Sequence, residues 1–271
     1  MRTLFIAEIL GNQNLWKKVI AQEAQSADRI VQLGNLIGLR PLVSGREPES
    51  NLQLLRLANA YRYTQEDWLQ LVGPNEMLAL NYPGKFTGER SDEILRGFWF
   101  SGDEEHSTMS VAGVDKSRLV SHGGLSHGLW VELGRPQTAI EAAAALEDRY
   151  RGTIFQGDGF KLGHRPNFAV NPIWADPLRE TYPSWITAEE KCPFGQIHSA
   201  SNLNSEAGRL LRGEESGYFK WIDRVLYKSY GSISEIAGTQ FIGLKMNLPS
   251  DKDVSKMPDE WALYSEETLS I

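Results

Sequence analysis

Four short apolar runs, each closed by a glycine turn, limit how this chain can fold. Residues 3–9 (TLFIAEI) run into Gly11, residues 28–33 (DRIVQL) into Gly34, residues 68–72 (WLQLV) into Gly73, and residues 118–121 (RLVS) into His122-Gly123-Gly124. Runs this short, with little polar alternation, read as strands covered on both faces. Helical spacing follows the first two. Leu15, Trp16, Val19 and Ile20 mark a helix over residues 14–24, and Leu54, Leu55, Leu57 and Ala58 mark one over residues 52–60. Strands alternating with helices predict an α/β fold around a parallel or mixed sheet. In such sheets ligands gather at the carboxyl ends of the strands, where these glycines lie.

Farther along, the alanine-rich stretch 138–150 predicts a helix. Residues 84–103, with Phe98, Trp99 and Phe100, predict helix and loop over the strand ends. Residues 157–185 are rich in glycine, proline and aromatics, which predicts loop. Residues 194–198, 219–227 and 239–244 predict further strands. From Pro249 the chain is charged and broken by proline. There is no internal repeat or low-complexity linker. The expected organisation is one domain over residues 1–248 and a charged C-terminal extension over 249–271.

Composition narrows the class. Of 271 residues, 41% are hydrophobic and 23% charged, the balance of a globular chain. A net charge of −7 supplies no global attraction to nucleic acid or anionic membrane. Cys192 is the single cysteine, so no intramolecular disulfide forms, which fits a reducing compartment. The N-terminus lacks the pattern of a signal peptide. No run approaches the roughly 18–20 apolar residues of a membrane span. A soluble, cytoplasmic protein is expected. Dinucleotide and serine-hydrolase signatures are missing: Gly11-Asn12-Gln13 is not a G-x-G-x-x-G loop, and neither Ser121-His122 nor Ser126-His127 sits in a nucleophile elbow. His127 and His164 fall in predicted loops. Cys192 reads as structural. The tryptophans fit packing, with Trp99, Trp174 and Trp185 in loop-rich segments.

The segments at the strand ends carry a resemblance. Ala7-Glu8-Ile9-Leu10-Gly11, Gly34-Asn35-Leu36-Ile37-Gly38-Leu39-Arg40-Pro41, Gly73-Pro74-Asn75-Glu76 and Ser121-His122-Gly123-Gly124 follow the order and spacing of G-D-x-H-G, G-D-x-x-D-R-G-P, G-N-H-E and H-A/G-G. Pro193-Phe194-Gly195-Gln196-Ile197-His198-Ser199-Ala200 adds a P-x-x-Q-x-x-G-H-like run. Over residues 2–244 the chain resembles the calcineurin-like metallophosphoesterases. The resemblance implies a four-layer α/β/β/α sandwich of mixed sheets flanked by helices. It also implies two cations (Mn, Fe, Zn or Mg) about 3.5–4 Å apart that activate a water on a phosphate ester.

This chain keeps the glycines of those motifs and departs at the ligands. Glu8 stands for the first aspartate, one methylene longer, and Leu10 for its histidine. Asn35 replaces the bridging aspartate and removes the charge between the cations. Gly38 and Leu39 replace the next Asp and Arg. In the ungapped register Pro74 takes the place of the metal-binding Asn and Asn75 that of the general-acid His. Shifted by one, Asn75 is the ligand and Glu76 the acid. His122 is the clean match. The terminal histidine is Ala200 in one register and His198 in the other.

The resemblance therefore implies a pseudoenzyme with no catalytic residue, Asn75 being a remnant of the general-acid position. Its candidate ligand-binding residues are Glu8, Asn35, Asn75, His122 and His198. Its candidate partners are a phosphate-containing small molecule or nucleotide, or another protein. Two alternatives stay open. One is a divergent phosphoesterase with a single metal on Glu8, Asn35 and His122. The other is a structural or assembly protein with a vestigial cleft. In the plainer reading, Asn35 and Asn75 are loop residues tolerating left-handed backbone, and His198 is a hydrogen-bonded strand-end histidine.

Overall fold

A computed structural model describes residues 3–7, 9–22, 24–38, 48–62, 64–65, 67–81, 109–156, 171–199, 219–226, 229–236, 239–246 and 264–265. In chain order the elements are β1 (Thr3–Ile6), α1 (Gln13–Gln22), β2 (Arg29–Gln32), α2 (Pro48–Arg62), β3 (Trp68–Leu71), α3 (Pro74–Asn81), β4 (Met109–Ser110), β5 (Ala112–Asp115), β6 (Arg118–Ser121), α4 (His127–Glu132), α5 (Ala139–Gln156), α6 (Tyr182–Ile186), β7 (Gln196–Ser199), β8 (Phe219–Leu226), β9 (Ser229–Ile236), β10 (Thr239–Met246) and β11 (Tyr264–Ser265). The architecture is α/β, with two mixed sheets and helices. The predicted strands at β1, β2, β3, β6, β7, β8 and β10 all form. The predicted cover over residues 84–103 lies outside the described residues, as does His164.

The backbone forms two compact units. The first comprises Met1–Ser110, Leu226–Ser229 and Met246–Ile271, and the second Val111–Val225 and Tyr230–Lys245. In the first unit the strand order is β11-β1-β2-β3-β4. β1 to β4 run parallel, and β11, from the charged C-terminal segment, pairs antiparallel with β1. Leu4, Phe5, Ile6, Ile30 and Val31 are all buried, so successive residues on both sheet faces are covered. Trp16 of α1 meets Trp68 of β3 edge-on, ring centroids 5.7 Å apart. Ile6, Gln32 and Gln70 share one register row across three strands. Both glutamines are buried there, with Gln32 using both ends of its amide and Gln70 its nitrogen. Gln70 Nε2 donates to Gln32 Oε1 and to the Leu71 carbonyl. Gln32 in turn pairs with both main-chain groups of Gly34, at 2.9 Å and 2.8 Å.

In the second unit the order is β5-β6-β7-β10-β9-β8. β5 and β6 form an antiparallel hairpin, turned at Lys116 with φ +54°, and β7 lies parallel to both β6 and β10. α5 packs on β5 and β6. It begins on a capping box: the Glu141 N–H donates to Thr138 Oγ1, and Glu141 Oε2 accepts from the N–H groups of Gln137 and Thr138. Farther along α5, Glu147 Oε1 accepts from the consecutive N–H groups of Val111 and Ala112, where β5 begins.

Several elements depart from the sequence reading, the unpredicted strands β4, β5 and β9 among them. α3 starts at Pro74, directly after Gly73, because proline fits the first helical position, where its missing N–H costs nothing. A π-helical turn (Pro177–Thr181) and α6 occupy part of a stretch read as loop. His127 opens α4 rather than lying in a loop, with Ser126 Oγ accepting from the Leu129 N–H as its cap. Trp185 is core, not loop.

Glu147→Ala leaves two N–H groups without their acceptor and is expected to cost about 1–3 kcal/mol. Arg149→Ala removes the exposed Arg149–Glu132 pair (2.6 Å) and the guanidinium over the Tyr150 ring, and is expected to cost no more than about 1 kcal/mol. Urea denaturation of the two variants measures the difference, and equal effects contradict the role given to Glu147.

Candidate functional site

In the first unit, three strand-end loops are tied together by their own main chain and four polar side chains. After β1 the chain turns through Leu10 and Gly11, at φ +53° and +77°. The N–H of Leu10 donates to the Asn35 carbonyl at 2.9 Å, and that of Gly11 to the Leu36 carbonyl at 2.8 Å. After β2 the turn passes through Gly34 and Asn35, at φ +90° and +53°. Asn35 therefore has the left-handed backbone expected of a strand-end asparagine.

Glu76 is the hub. It lies in the first turn of α3 and is 0% exposed. Its Oε2 accepts from the N–H groups of Asn35 and Gly73, both at 2.9 Å, and its Oε1 from that of Ile37 at 3.0 Å. Asn35 and Asn75 complete the tie: Asn75 N–H donates to Asn35 Oδ1 at 3.0 Å, and Asn75 Nδ2 to the Ile37 carbonyl at 2.7 Å. Asn51 of α2 pairs with both main-chain groups of Gly38, at 2.9 Å and 2.8 Å. The glycines follow from this crowding. A Cβ on Gly73 would collide with the Asn35 amide nitrogen, and one on Gly11 would come within 2.5 Å of Asn51 Oδ1.

Asn35 and Asn75, both read from the sequence as candidate ligand-binding residues, are hydrogen-bonded neighbours. Sequence reasoning did not find Asn51, whose partner is thirteen residues away. Nor did it give Glu76 its main-chain partners, although Gly-x-x-Glu ahead of an apolar run is a helix-start signal. Asn75 stands in the first turn of a helix, not in a loop. Glu8 lies outside the described residues.

In the second unit, β6 delivers His122 and β7 delivers His198, both buried. The Ser199 N–H donates to the His122 carbonyl at 2.8 Å. Gln196 Oε1 accepts from the Leu125 N–H at 2.7 Å, and its Nε2 donates to the Leu125 carbonyl at 3.1 Å. Thr181 Oγ1 donates to the Gly123 carbonyl at 2.9 Å, and a Cβ on Gly123 would collide with the Ala175 carbonyl. His198 Nδ1 lies 2.7 Å from the Ser199 carbonyl, and Nε2 lies 2.8 Å from the Tyr182 hydroxyl. A carbonyl only accepts, so Nδ1 carries the hydrogen. Ala200, the other register of the last motif, lies outside the described residues.

Burial sets the protonation of both buried groups. It pushes the Glu76 carboxyl up from 4.5 to about 7, against the downward pull of its main-chain donors. It pushes the His198 imidazole down from 6.5 to about 4; the bond to Ser199 opposes this shift and the nearby His122 adds to it. The His198 ring is therefore neutral near pH 7, and Nε2 accepts from the Tyr182 hydroxyl.

These donor sets do not fit a pair of metal ions. Asn35 Oδ1, both Glu76 oxygens and His198 Nε2 each hold a hydrogen-bond donor of the chain. Among the described residues, no group of three His, Cys, Asp or Glu side chains stands together to hold a metal. Cys192 is buried, and desolvation pushes its thiol up to about 11. Among the described residues, no helix is long and apolar enough to cross a membrane.

No family model matches the chain, and no curated protein is significantly similar to it. The motif residues alone carry the resemblance.

Gly73→Ala is expected to lose about 1–3 kcal/mol by overpacking against Asn35, read as a lower urea midpoint. The two buried groups give opposite pH slopes. Glu76, with its pKa raised, contributes stability that is complete below about pH 4.5 and lost as pH rises through about 7. His198, with its pKa lowered, contributes stability that is complete above about pH 6.5 and lost as pH falls through about 4. The stability difference between wild type and Glu76→Gln should shrink from pH 4.5 to 7. A flat or growing difference contradicts the assignment.

Proposed function

We propose that this chain is a non-catalytic relative of the calcineurin-like phosphoesterases that acts by binding a phosphate-containing ligand or a protein partner. The finer fold assignment, a four-layer α/β/β/α sandwich, belongs to the same proposal. One observation carries it. Asn35 and Asn75, at positions where that family keeps metal-site residues, form hydrogen bonds with each other and with the loop backbone around Glu76. A loop built this way keeps the strand-end geometry of a phosphoesterase and gives up the anionic oxygens that hold two dications. The amide at position 35 also supplies no charge to balance them.

Purified protein assayed with bis-p-nitrophenyl phosphate and p-nitrophenyl phosphate in Mn²⁺, Zn²⁺, Mg²⁺ or Fe²⁺ is expected to match the protein-free control. No metal is expected to raise its melting temperature. Metal-dependent turnover that disappears in His122→Ala would overturn the proposal in favour of a divergent single-metal enzyme. A second reading, an assembly protein whose strand-end loops are vestigial, is favoured by the closure of these loops on one another through Asn51, Asn75 and Glu76. Calorimetry with inorganic phosphate and adenine nucleotides separates the two: saturable binding supports the ligand-binding form, and heats no larger than dilution support the vestigial form.

A further inference from the structure

We infer that Tyr182 is a built-in plug on His198, making that imidazole a structural strut and closing it to metals. The inference rests on the non-catalytic reading only in taking the strand-end histidine as something other than a ligand; the geometry is independent of the first unit. A neutral imidazole has one lone pair for a metal, on the nitrogen that lacks hydrogen. Nδ1 faces the Ser199 carbonyl at 2.7 Å and must donate, which leaves the lone pair on Nε2. That atom faces the Tyr182 hydroxyl at 2.8 Å.

The plug is fixed from several sides. Tyr182 and His198 are both 0% exposed, so water does not compete for either group. Their rings meet edge-on, centroids 5.4 Å apart, and Tyr182 also meets Phe241 of β10 edge-on at 5.6 Å. One turn farther along α6, Trp185 donates to the Leu125 carbonyl at 2.7 Å. Leu125 is the residue that Gln196 of β7 also holds. The helix bearing the hydroxyl is thus anchored to the strand bearing the imidazole. A metal approaching Nε2 would have to displace the buried Tyr182 hydroxyl.

Long-range ¹H–¹⁵N spectra of the full-length labelled protein at neutral pH test this, together with a Zn²⁺ titration. The expected His198 ring carries its hydrogen on Nδ1, with Nε2 at the shift of a hydrogen-bonded acceptor, unmoved by Zn²⁺. In Tyr182→Phe the Nε2 signal moves toward that of an unpaired lone pair, Nδ1 stays, and the melting temperature falls. An Nε2-protonated ring, a Zn²⁺-dependent shift of His198 Nε2 in the wild type, or an Nε2 signal unchanged in Tyr182→Phe each overturns the inference. If that variant does not fold, the wild-type tautomer and zinc response decide. Metal-dependent hydrolysis with an unmoved His198 would sink the non-catalytic reading and leave the plug standing. A zinc-shifted His198 in a chain without hydrolysis would do the reverse.

Discussion

The Glu76 carboxylate lies where water does not reach it and accepts from three main-chain N–H groups on two different loops. Isolated, a buried carboxylate of this kind would be costly. Here the donors around it would be equally costly without it, since each is a buried amide with no strand to pair with. The cost of burying the acid and the cost of orphaning the amides offset each other only when helix α3, the loop after β2 and the end of β3 are all in place. That mutual requirement gives the strand ends of the first unit a single geometry. The close approach of Gly73 to Asn35 and the left-handed turn at Asn35 follow from it.

A second device recurs in both units. Gln32 pairs with both main-chain groups of Gly34, Asn51 with both of Gly38, and Gln196 with both of Leu125. A primary amide is the neutral side chain that offers one donor and one acceptor at the spacing of a residue's own N–H and C=O. A carboxylate in its place would accept from the N–H and repel the carbonyl. At these loops the chain thus uses neutral amides to complete turns that lie beyond the reach of the sheet ladder.

Much of the fold was legible because it rests on local pattern. The apolar runs at β1, β2, β3, β6 and β7 announce buried strands, and Gly11, Gly34 and Gly124 mark left-handed turns that the structure confirms at φ +77°, +90° and +83°. α3 was hidden: its eight residues are too few to display a helical period, and its opening proline reads as a turn. β9 was hidden for another reason, since its sequence SYGSISEI mixes glycine and serine into the strand. At the candidate site, Asn35 and its backbone were legible. The bonds of Glu76 to Asn35 and Ile37, of Asn51 to Gly38 and of His198 to Tyr182 were not, because each spans a distance in sequence that no local pattern encodes. The tyrosine on His198 is sixteen residues upstream, on the preceding helix.

The pairing of β1 with β11 has a consequence in time. Leu4 lies opposite Ser265, so β1 completes its edge with a strand far downstream in sequence. Chain segments after the second unit has begun, Leu226–Ser229 and Met246–Ile271, also return to the first unit. On the ribosome, β1 can pair with β2 as soon as both have emerged, while its other edge waits until β11 has been made. Over that interval an apolar parallel strand presents an open row of main-chain donors and acceptors, the kind of edge that other chains add to. The two residues of β11 close that row on β1.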